Sequence, residues 1–372
     1  MTMDRATEVE RKLEDVRAWL EFHELGGVLL GSQDWFAWIT GGGRSHISIG
    51  ESGGVASVLV NREDAYLLTT NIELERLLQE EFPPHPPFVG VARQWDEVVP
   101  DGDLIRDLAD PSSTVSDLGE NGLPRPPADL PTLRYTLLPP EVDRYRALGA
   151  DAAAAVEAAC HAARPDDAEH DVASRLAAEA TARDILPLVN LVATGDRIAS
   201  YRHPLPTATR VGRSLLVAFT GRRAGLHASL TRMVSFGPAD PETTRRHEAV
   251  ARVDAREILG SRPGASLGDV FEAGVSQYAA EGWPGQWRHH HQGGLTGYAG
   301  REIFATRRAS HELTAHQAVA WNPSITGVKS EDTVLVTQGE PEVLTRTGEW
   351  PERPWELEAG SITRPVILES SP

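Results

Sequence analysis

The spacing of apolar positions predicts helices and strands in the first third of the chain. Apolar side chains recur every three or four residues through residues 9–20, with charged residues between them, which predicts an amphipathic helix. Short apolar runs typical of strands follow, with turns predicted at the glycines of residues 41–43 and 53–54. These runs cover residues 27–30, 55–60 and 65–70. The first third is therefore predicted to be an α/β domain.

A proline-rich stretch then interrupts both patterns. Six prolines lie between residues 122 and 140. Because proline lacks a backbone N–H and fixes φ, such a stretch suits neither a helix nor a sheet interior. We therefore predict a boundary here, with one domain over residues 1–138 and a second over residues 139–372.

The second domain is predicted to differ in the order of its elements, with two long helices before its first strand. The helical pattern covers residues 141–163 and 168–184, and further helices are predicted at 241–259 and 266–281. Strands are predicted at residues 188–193, 214–218, 225–234, 317–321 and 333–337. This order predicts an α+β arrangement in which helices cover one face of a sheet.

The amino-acid composition limits the kinds of molecule that the protein is expected to bind. The chain has 36 basic and 54 acidic residues, a formal net charge of −18, and no basic run, which argues against nucleic acid and anionic membranes as partners. No apolar stretch approaches the length of a membrane span, and no signal core follows a basic start, so we expect a cytoplasmic protein. Cys160 is the only cysteine, and its alanine-rich helical surroundings predict an unreactive thiol.

Four motifs follow one another in the second domain. The first is Tyr201-Arg202-His203-Pro204-Leu205-Pro206, and the second is the strand Gly225-Leu226-His227-Ala228-Ser229-Leu230-Thr231-Arg232. The third is His289-His290-His291-Gln292-Gly293-Gly294, and the last pairs Trp321-Asn322-Pro323 with Lys329-Ser330-Glu331-Asp332-Thr333. In this order they resemble the motifs of the creatinase, prolidase and methionine aminopeptidase family, the pita-bread hydrolases. As a divergent member, the chain is similar to creatinase and to aminopeptidase P-like proteins.

The resemblance implies a fold and an assembly. It implies a creatinase-like α/β N-terminal domain and a C-terminal pita-bread domain, whose curved, mostly antiparallel sheet is covered by helices. It also implies a homodimer in which the N-terminal domain of one subunit closes over the site of the other. Trp35, Phe36, Trp38 and Arg44 are candidates for that closing surface, and the alternative is that the aromatic residues are simply core.

The metal-binding positions of the family are largely altered in this chain. The dinuclear site of the peptidases needs two aspartates, one histidine and two glutamates, because hard divalent cations require several carboxylate oxygens. The matching positions here are Ala218, Ser229, His291, Asn322 and Glu331. Three of these five ligands are lost. We therefore expect no metal and no other cofactor.

Creatinase, which resembles the peptidases but uses no metal, offers an interpretation of the residues that remain. It implies that His203 is an acid/base group and that His291 and Glu331 also act in catalysis, while the family's other glutamate falls at Thr231. Polar groups that we expect to bind a small substrate are Asn322, Ser229, Thr231, Arg232, Tyr298 and Arg44. Several of these residues have a structural alternative. His203 would be a solvated loop histidine, and Glu331 a strand-edge carboxylate paired with Lys329. Asn322 would be a buried amide that satisfies backbone groups, and Arg232 an arginine that orients a carboxylate.

Three functional hypotheses follow. The first is a metal-independent hydrolase that cleaves a C–N bond of an amide, amidino compound or lactam in a small polar molecule, with histidine as acid/base. The second is a proline-specific metallo-dipeptidase or aminopeptidase of the Xaa-Pro type, which would need a divalent metal such as Mn, Co or Zn. The third is a non-catalytic binding module that has kept the fold. We ranked them in this order.

Overall fold

The computed structural model of the protein describes residues 3–83, 86–97 and 101–371. The chain divides into two compact units. Unit 1 comprises Met1–Arg134 and Leu138–Glu141, and unit 2 comprises Tyr135–Leu137 and Val142–Pro372.

Unit 1 is a five-stranded mixed sheet with helices. Its elements are α1 (Arg5–Phe22), β1 (Gly27–Ser32), α2 (Gln33–Ile39), β2 (Gly53–Asn61), β3 (Ala65–Thr70), α3 (Leu74–Arg76), β4 (Val89–Arg93), α4 (Asp101–Leu108) and β5 (Thr114–Ser116). The strand order is β4-β3-β2-β1-β5, in which the three central strands are antiparallel and both outer strands run parallel to their neighbours. The predicted α/β class of this part is confirmed.

Helix α1 has the buried apolar stripe that its amphipathic sequence pattern predicted. The side chain of Asp4 caps α1 by accepting a hydrogen bond from the backbone N–H of Thr7 at 2.9 Å. The apolar stripe is buried together with two charged residues, Glu8 and Lys12, and the ammonium of Lys12 lies 2.7 Å from the carboxylates of both Glu8 and Glu141. A buried lysine is tolerated here because two carboxylates satisfy its charge.

Unit 2 contains the four sequence motifs. Its first elements are α5 (Pro139–Ala162, which begins in unit 1), α6 (Glu169–Thr181), β6 (Leu186–Thr194), α7 (Asp196–Ser200), β7 (Ser214–Arg223), β8 (Leu226–Phe236), α8 (Pro241–Gly260) and α9 (Leu267–Ala280). The strands that follow are β9 (Gly293–Thr296), β10 (Ile303–Phe304), β11 (Ala318–Trp321), β12 (Ser324–Ile325), β13 (Val328–Lys329), β14 (Asp332–Leu335), β15 (Glu342–Val343), β16 (Glu352–Leu357), β17 (Gly360–Pro365) and β18 (Leu368–Ser370).

Two sheets of unit 2 meet beside the motifs. One has the order β18-β8-β7-β6 and the other β10-β9-β11-β14-β15, and every pairing except that of β18 with β8 is antiparallel. A single bridge between Thr231 and Glu331 joins them. Helix α8 packs its buried face into the apolar clusters of both sheets. The predicted α+β class, with a mostly antiparallel sheet and covering helices, is confirmed.

Some local predictions need correction. Gly53 and Gly54 do not interrupt the sheet but begin β2, where a side chain at residue 54 would meet Ser45 at 2.1 Å. Helix α2 was missed because residues 33–39 are almost wholly apolar and show no helical period. Its Trp35, Phe36 and Trp38 are buried at 6%, 0% and 2% exposure, which supports the core alternative for these side chains. In the described part of the chain, no helix has the length and apolar character that a bilayer crossing requires.

Candidate functional site

Three histidines from two separate segments form a compact cluster in unit 2. His203 follows helix α7, whereas His290 and His291 lie between a short 3-10 helix and strand β9. The Nε2 atoms of His203 and His290 are 2.9 Å apart, and the rings of His290 and His291 stack at a centroid distance of 4.3 Å. One ring nitrogen from each of the three lies within 4.8 Å of the others. We call these three residues the histidine trio.

The glycines after the trio fix where the second segment runs. Gly293 and Gly294 have φ angles of 112° and 141°, which side-chain-bearing residues rarely adopt. A Cβ at Gly293 would lie 2.0 Å from the carbonyl oxygen of Ala320 on β11. The loop can therefore approach the sheet only because glycine occupies this position, and this approach places His290 and His291 beside His203.

The trio is held in the neutral state. Burial lowers the pKa of His290 to about 3 and that of His291 to about 4; Lys329 adds to both shifts, and Arg301 adds to that of His291. Burial and Lys329 also lower the pKa of His203. Neutral imidazoles carry one free lone pair each, so at neutral pH each ring has one nitrogen able to accept a proton or bind a metal.

Glu331 lies next to the trio as a paired anion. Its carboxylate accepts hydrogen bonds of 2.7 Å from both the Lys329 ammonium and the Thr231 hydroxyl. A guanidinium nitrogen of Arg301 lies 3.8 Å from the other carboxylate oxygen. Burial opposes ionisation of Glu331, but Lys329 and Arg301 outweigh burial and hold its pKa at about 2. Such a weak base is better suited to electrostatic work than to proton transfer.

Strands β7 and β8 carry hydroxyl and apolar side chains at the positions where a dinuclear site would need carboxylates. In the register of β7 and β8, Ala218 is opposite Thr231, and Thr220 is opposite Ser229. The hydroxyls of Thr220 and Ser229 are 2.9 Å apart, so they satisfy each other. Ala218 packs in an apolar cluster. Thr220 was missed by the sequence analysis, although its position two residues after Ala218 puts it on the same strand face.

The remaining predicted residues are distributed differently. Asn322 is 3% exposed, follows β11, and donates its backbone N–H to Gln292, the residue after His291, at 3.0 Å. Tyr298 is fully buried. Arg232 is buried, with guanidinium bonds to Asp332 and to the carbonyls of Thr231 and Thr345. Arg44 belongs to unit 1, where it bonds Glu81.

The structure brings His203, His291, Thr231 and Glu331, which the sequence analysis named, into one region with three residues that it did not assign to the site. His290 was hidden within a histidine triplet, in which no pattern indicates the ring that faces His203. The pairing of Lys329 with Glu331 was considered only as a structural alternative. Arg301, three residues after Tyr298, was not among the expected site residues.

Comparison with known proteins decides the family. Residues 143–338, more than half of the chain, match metallopeptidase family M24. The chain belongs to this family. It is 17% identical to dipeptidase PepE of Mycobacterium ulcerans, with a TM-score of 0.77 over 99% of both chains. It is also 17% identical to the Xaa-Pro dipeptidase of Bacillus anthracis, with a TM-score of 0.74 over 91% of this chain and 98% of the other.

These M24 likenesses confirm the resemblance and the two-domain pita-bread fold that it implied. At 17% identity, the solved structures support the fold alone. An uncharacterized peptidase of Staphylococcus saprophyticus is 26% identical over 125 residues, which are 32% of this chain and 35% of that protein. The match therefore spans about a third of the length of that curated relative.

Membership of M24 corrects one expectation. The sequence analysis expected no cofactor, and the match to a family of metallopeptidases contradicts it. That expectation rested only on the five positions matched to the ligands of the dinuclear peptidases.

Those five positions nevertheless do not fit a metal pair. Ala218 offers no ligand atom, the Ser229 hydroxyl is paired with Thr220, and Glu331 is already neutralised by a lysine. Asn322 contributes only an amide oxygen, which has no hydrogen-bond partner among the described residues. Two adjacent divalent cations need several free carboxylates, and this arrangement supplies none.

Proposed function

We propose that this protein hydrolyses the C–N bond of a short peptide with a free carboxylate, of the Xaa-Pro dipeptide type. Membership of M24 supports hydrolysis of a peptide bond, and the likeness to a dipeptidase and to an Xaa-Pro dipeptidase supports a short substrate. This ranks the second of the three sequence hypotheses above the first.

The observation that carries the proposal is the excess of positive charge around Glu331. Among the residues that the structure describes there, the cations Lys329 and Arg301 face one carboxylate, and the nearby imidazoles are neutral. One positive charge is left over in a largely buried site, where an anion would balance it. The free carboxylate of a dipeptide supplies such an anion.

The same charge argues against a creatinase-like substrate. A guanidinium or amidinium group would have to approach Glu331, whose carboxylate Lys329 and Thr231 already occupy. It would also meet two cations. A cationic small molecule is therefore the poorer substrate class for this site.

We assign proton transfer to the imidazoles. With no ion on its lone pair, His203 acts as a neutral base: it accepts a proton from the attacking water, the water oxygen bonds the carbonyl carbon, the C–N bond breaks, and the proton passes to the leaving nitrogen. His291 lies beside it, with a ring-centroid distance of 6.2 Å, and orients the substrate's polar groups. Asn322 offers its unpartnered oxygen to a substrate N–H, while Arg232 acts structurally through Asp332.

The proposal is tested with a matched substrate panel. Xaa-Pro dipeptides, the same dipeptides as C-terminal amides, and creatine are assayed with Zn²⁺, Mn²⁺ or Co²⁺ added. We expect hydrolysis of the dipeptides and at least roughly tenfold lower kcat/KM for the amides, since losing one ionic contact costs about 1–2 kcal/mol. Equal rates for acid and amide, or cleavage of creatine alone, would contradict the proposal. No hydrolysis under any condition would favour the binding-module hypothesis.

A further inference from the structure

We propose that the histidine trio of His203, His290 and His291 binds a single divalent transition-metal ion, with zinc as the best fit. The trio is a different ligand set from the five positions of the family's metal pair and shares only His291 with it. The catalytic use of this metal rests on the proposed function, whereas its binding does not.

The geometry of the trio suits one ion. The three ring nitrogens lie within 4.8 Å of one another, and the shortest pair, Nε2 of His203 and Nε2 of His290, is 2.9 Å apart. Two nitrogens on one tetrahedral zinc ion, each about 2.0–2.1 Å from the metal, lie roughly 3.3 Å apart. Small side-chain rotations therefore bring all three nitrogens to a single ion, whereas two ions would not fit between them.

Two features hold the rings in place for this task. His290 and His291 are adjacent and stacked, so they present their nitrogens from one short segment, and Phe304 packs edge-on against His291 at 5.2 Å. His203 comes from a separate loop, beside Pro204, which is buried. The Nδ1 atom of His290 is buried and has no hydrogen-bond partner among the described residues, so this ring is not committed to a structural bond through that atom.

The chemistry of the donors selects the class of metal. Imidazole nitrogen suits Zn²⁺, Co²⁺, Ni²⁺ and Cu²⁺, whereas Mg²⁺ and Ca²⁺ prefer oxygen. Three histidines are also a known ligand set for zinc sites that keep a fourth position open. His203 and His291 are solvent-accessible, which leaves a route for the ion and for a fourth ligand.

The local charge limits the affinity without excluding the site. Lys329 and Arg301 are close enough to lower the pKa of the imidazoles, and both would repel a divalent cation. The carboxylate of Glu331, 2.7 Å from Lys329, cancels one of these charges. An anionic substrate would cancel the other, so the metal and a substrate carboxylate are expected to favour each other's binding.

The test is a Co²⁺ titration of the full, untagged chain, purified without a nickel column and followed by visible absorption. We expect one equivalent of Co²⁺ to bind with a tetrahedral-type spectrum, and Zn²⁺ to displace it. His203→Gln and His290→Gln are each expected to weaken binding at least roughly tenfold, because each removes one of three ligands. Circular dichroism of the metal-free variants checks that they fold.

His289→Gln is the matched control. His289 belongs to the same sequence triplet but is exposed and is not part of the trio. Its substitution should leave the Co²⁺ affinity within about twofold, because no ligand is removed. Binding that depends on His289 but not on His203 would mean surface chelation by the triplet and would overturn the proposal. So would two equivalents of Co²⁺, or none.

The titration also separates the two proposals. Because it contains no substrate, a bound Co²⁺ without peptidase activity would leave the trio assigned and remove the proposed function. Xaa-Pro hydrolysis by the wild type, together with unchanged Co²⁺ affinity in His203→Gln and His290→Gln, would do the opposite.

Discussion

Two carboxylates that are neighbours in sequence, Glu331 and Asp332, lie in opposite surroundings. Glu331 faces the histidine trio, where it balances only one of two cations. Asp332 points the other way, into a buried network, where Arg364 contacts one of its oxygens at 2.6 Å while Arg232 and Thr345 bond the other. Alternation along an extended chain is enough to separate them.

The difference separates the residues that stabilise the fold from those that we propose bind a ligand. The Asp332 side is closed, because Arg364 also pairs with Asp254 on helix α8 and is itself 1% exposed. The Glu331 side is electrostatically incomplete, because Lys329 and Arg301 face a single carboxylate. Side-chain atoms without a hydrogen-bond partner among the described residues occur on both sides, on His290 and Asn322 here and on Arg232 and Asp254 there. A closed ionic network supports the fold, whereas an incomplete one is prepared for a ligand.

The largest expected effect comes from breaking the closed side. Arg364→Met leaves the carboxylates of Asp254 and Asp332 buried without their shared cation, which should cost about 3–5 kcal/mol of unfolding free energy. Urea denaturation measures this loss. Arg353→Ala is the control, because Arg353 pairs with Glu248 at a half-exposed position and should cost less than about 1 kcal/mol. Similar losses in the two variants would mean that the buried network does not stabilise the fold.

A second test concerns a buried acid close to that network. Both carboxylate oxygens of Glu257 on α8 lack a hydrogen-bond partner among the described residues, and burial together with Asp254 raises its pKa well above the ordinary value. The folded protein therefore binds a proton there that the unfolded chain releases above about pH 4.3. Stability should fall as pH rises from that point towards the folded pKa, by about 1.4 kcal/mol per pH unit from this group.

Glu257→Gln removes that titration. Relative to the wild type, the variant should become progressively more stable as pH rises from 4 to 7, reaching a gain of roughly 1–3 kcal/mol, which thermal or urea unfolding at several pH values would show. Glu248→Gln, on the same helix but with a half-exposed carboxylate, should follow the wild-type curve. A wild-type and Glu257→Gln difference that does not vary with pH would refute a raised pKa.

On the incomplete side, the sharpest change is Lys329→Gln. Removing this charge leaves Glu331 to balance Arg301, so no excess positive charge remains to attract a substrate carboxylate. KM for an Xaa-Pro dipeptide should therefore rise about tenfold, equivalent to about 1.4 kcal/mol, with a smaller change in kcat. Dipeptide amides should show no such change in KM. Equal effects on acid and amide would assign Lys329 to orienting Glu331 alone.

The smallest expected effect compares two threonines on neighbouring strands. Thr231→Val removes a 2.7 Å hydrogen bond to the charged Glu331, whereas Thr220→Val removes a 2.9 Å bond to the neutral Ser229 hydroxyl. Bonds to ionised groups are about twice as strong, so we expect losses of about 1 and about 0.5 kcal/mol in unfolding free energy. Equal losses would indicate that Glu331 gains little from Thr231.

Much of the fold could be predicted from the sequence, because the local spacing of apolar residues identifies individual helices and strands. The amphipathic spacing in α1 and the apolar runs within β7 and β8 predicted elements that the structure contains, since α1 buries one face and the two strands are buried over most of their length. Helix α2 could not be predicted in this way, because it is buried on almost all sides and its residues carry no period.

Less of the candidate site than of the fold could be predicted from the sequence. The order of four motifs determined the family and placed His203, His291 and Glu331 in one region, because motif order fixes the order of strands and loops. Only the tertiary structure decided that His290 would face His203, that Lys329 would neutralise Glu331, and that Asp332 would turn away from the site. The His203–His290 and Arg232–Asp332 contacts join residues 87 and 100 positions apart, whereas the pairing of Lys329 with Glu331, two positions apart, depends on side-chain direction. No local pattern encodes such contacts, because they form only when the two sheets and their loops have packed together.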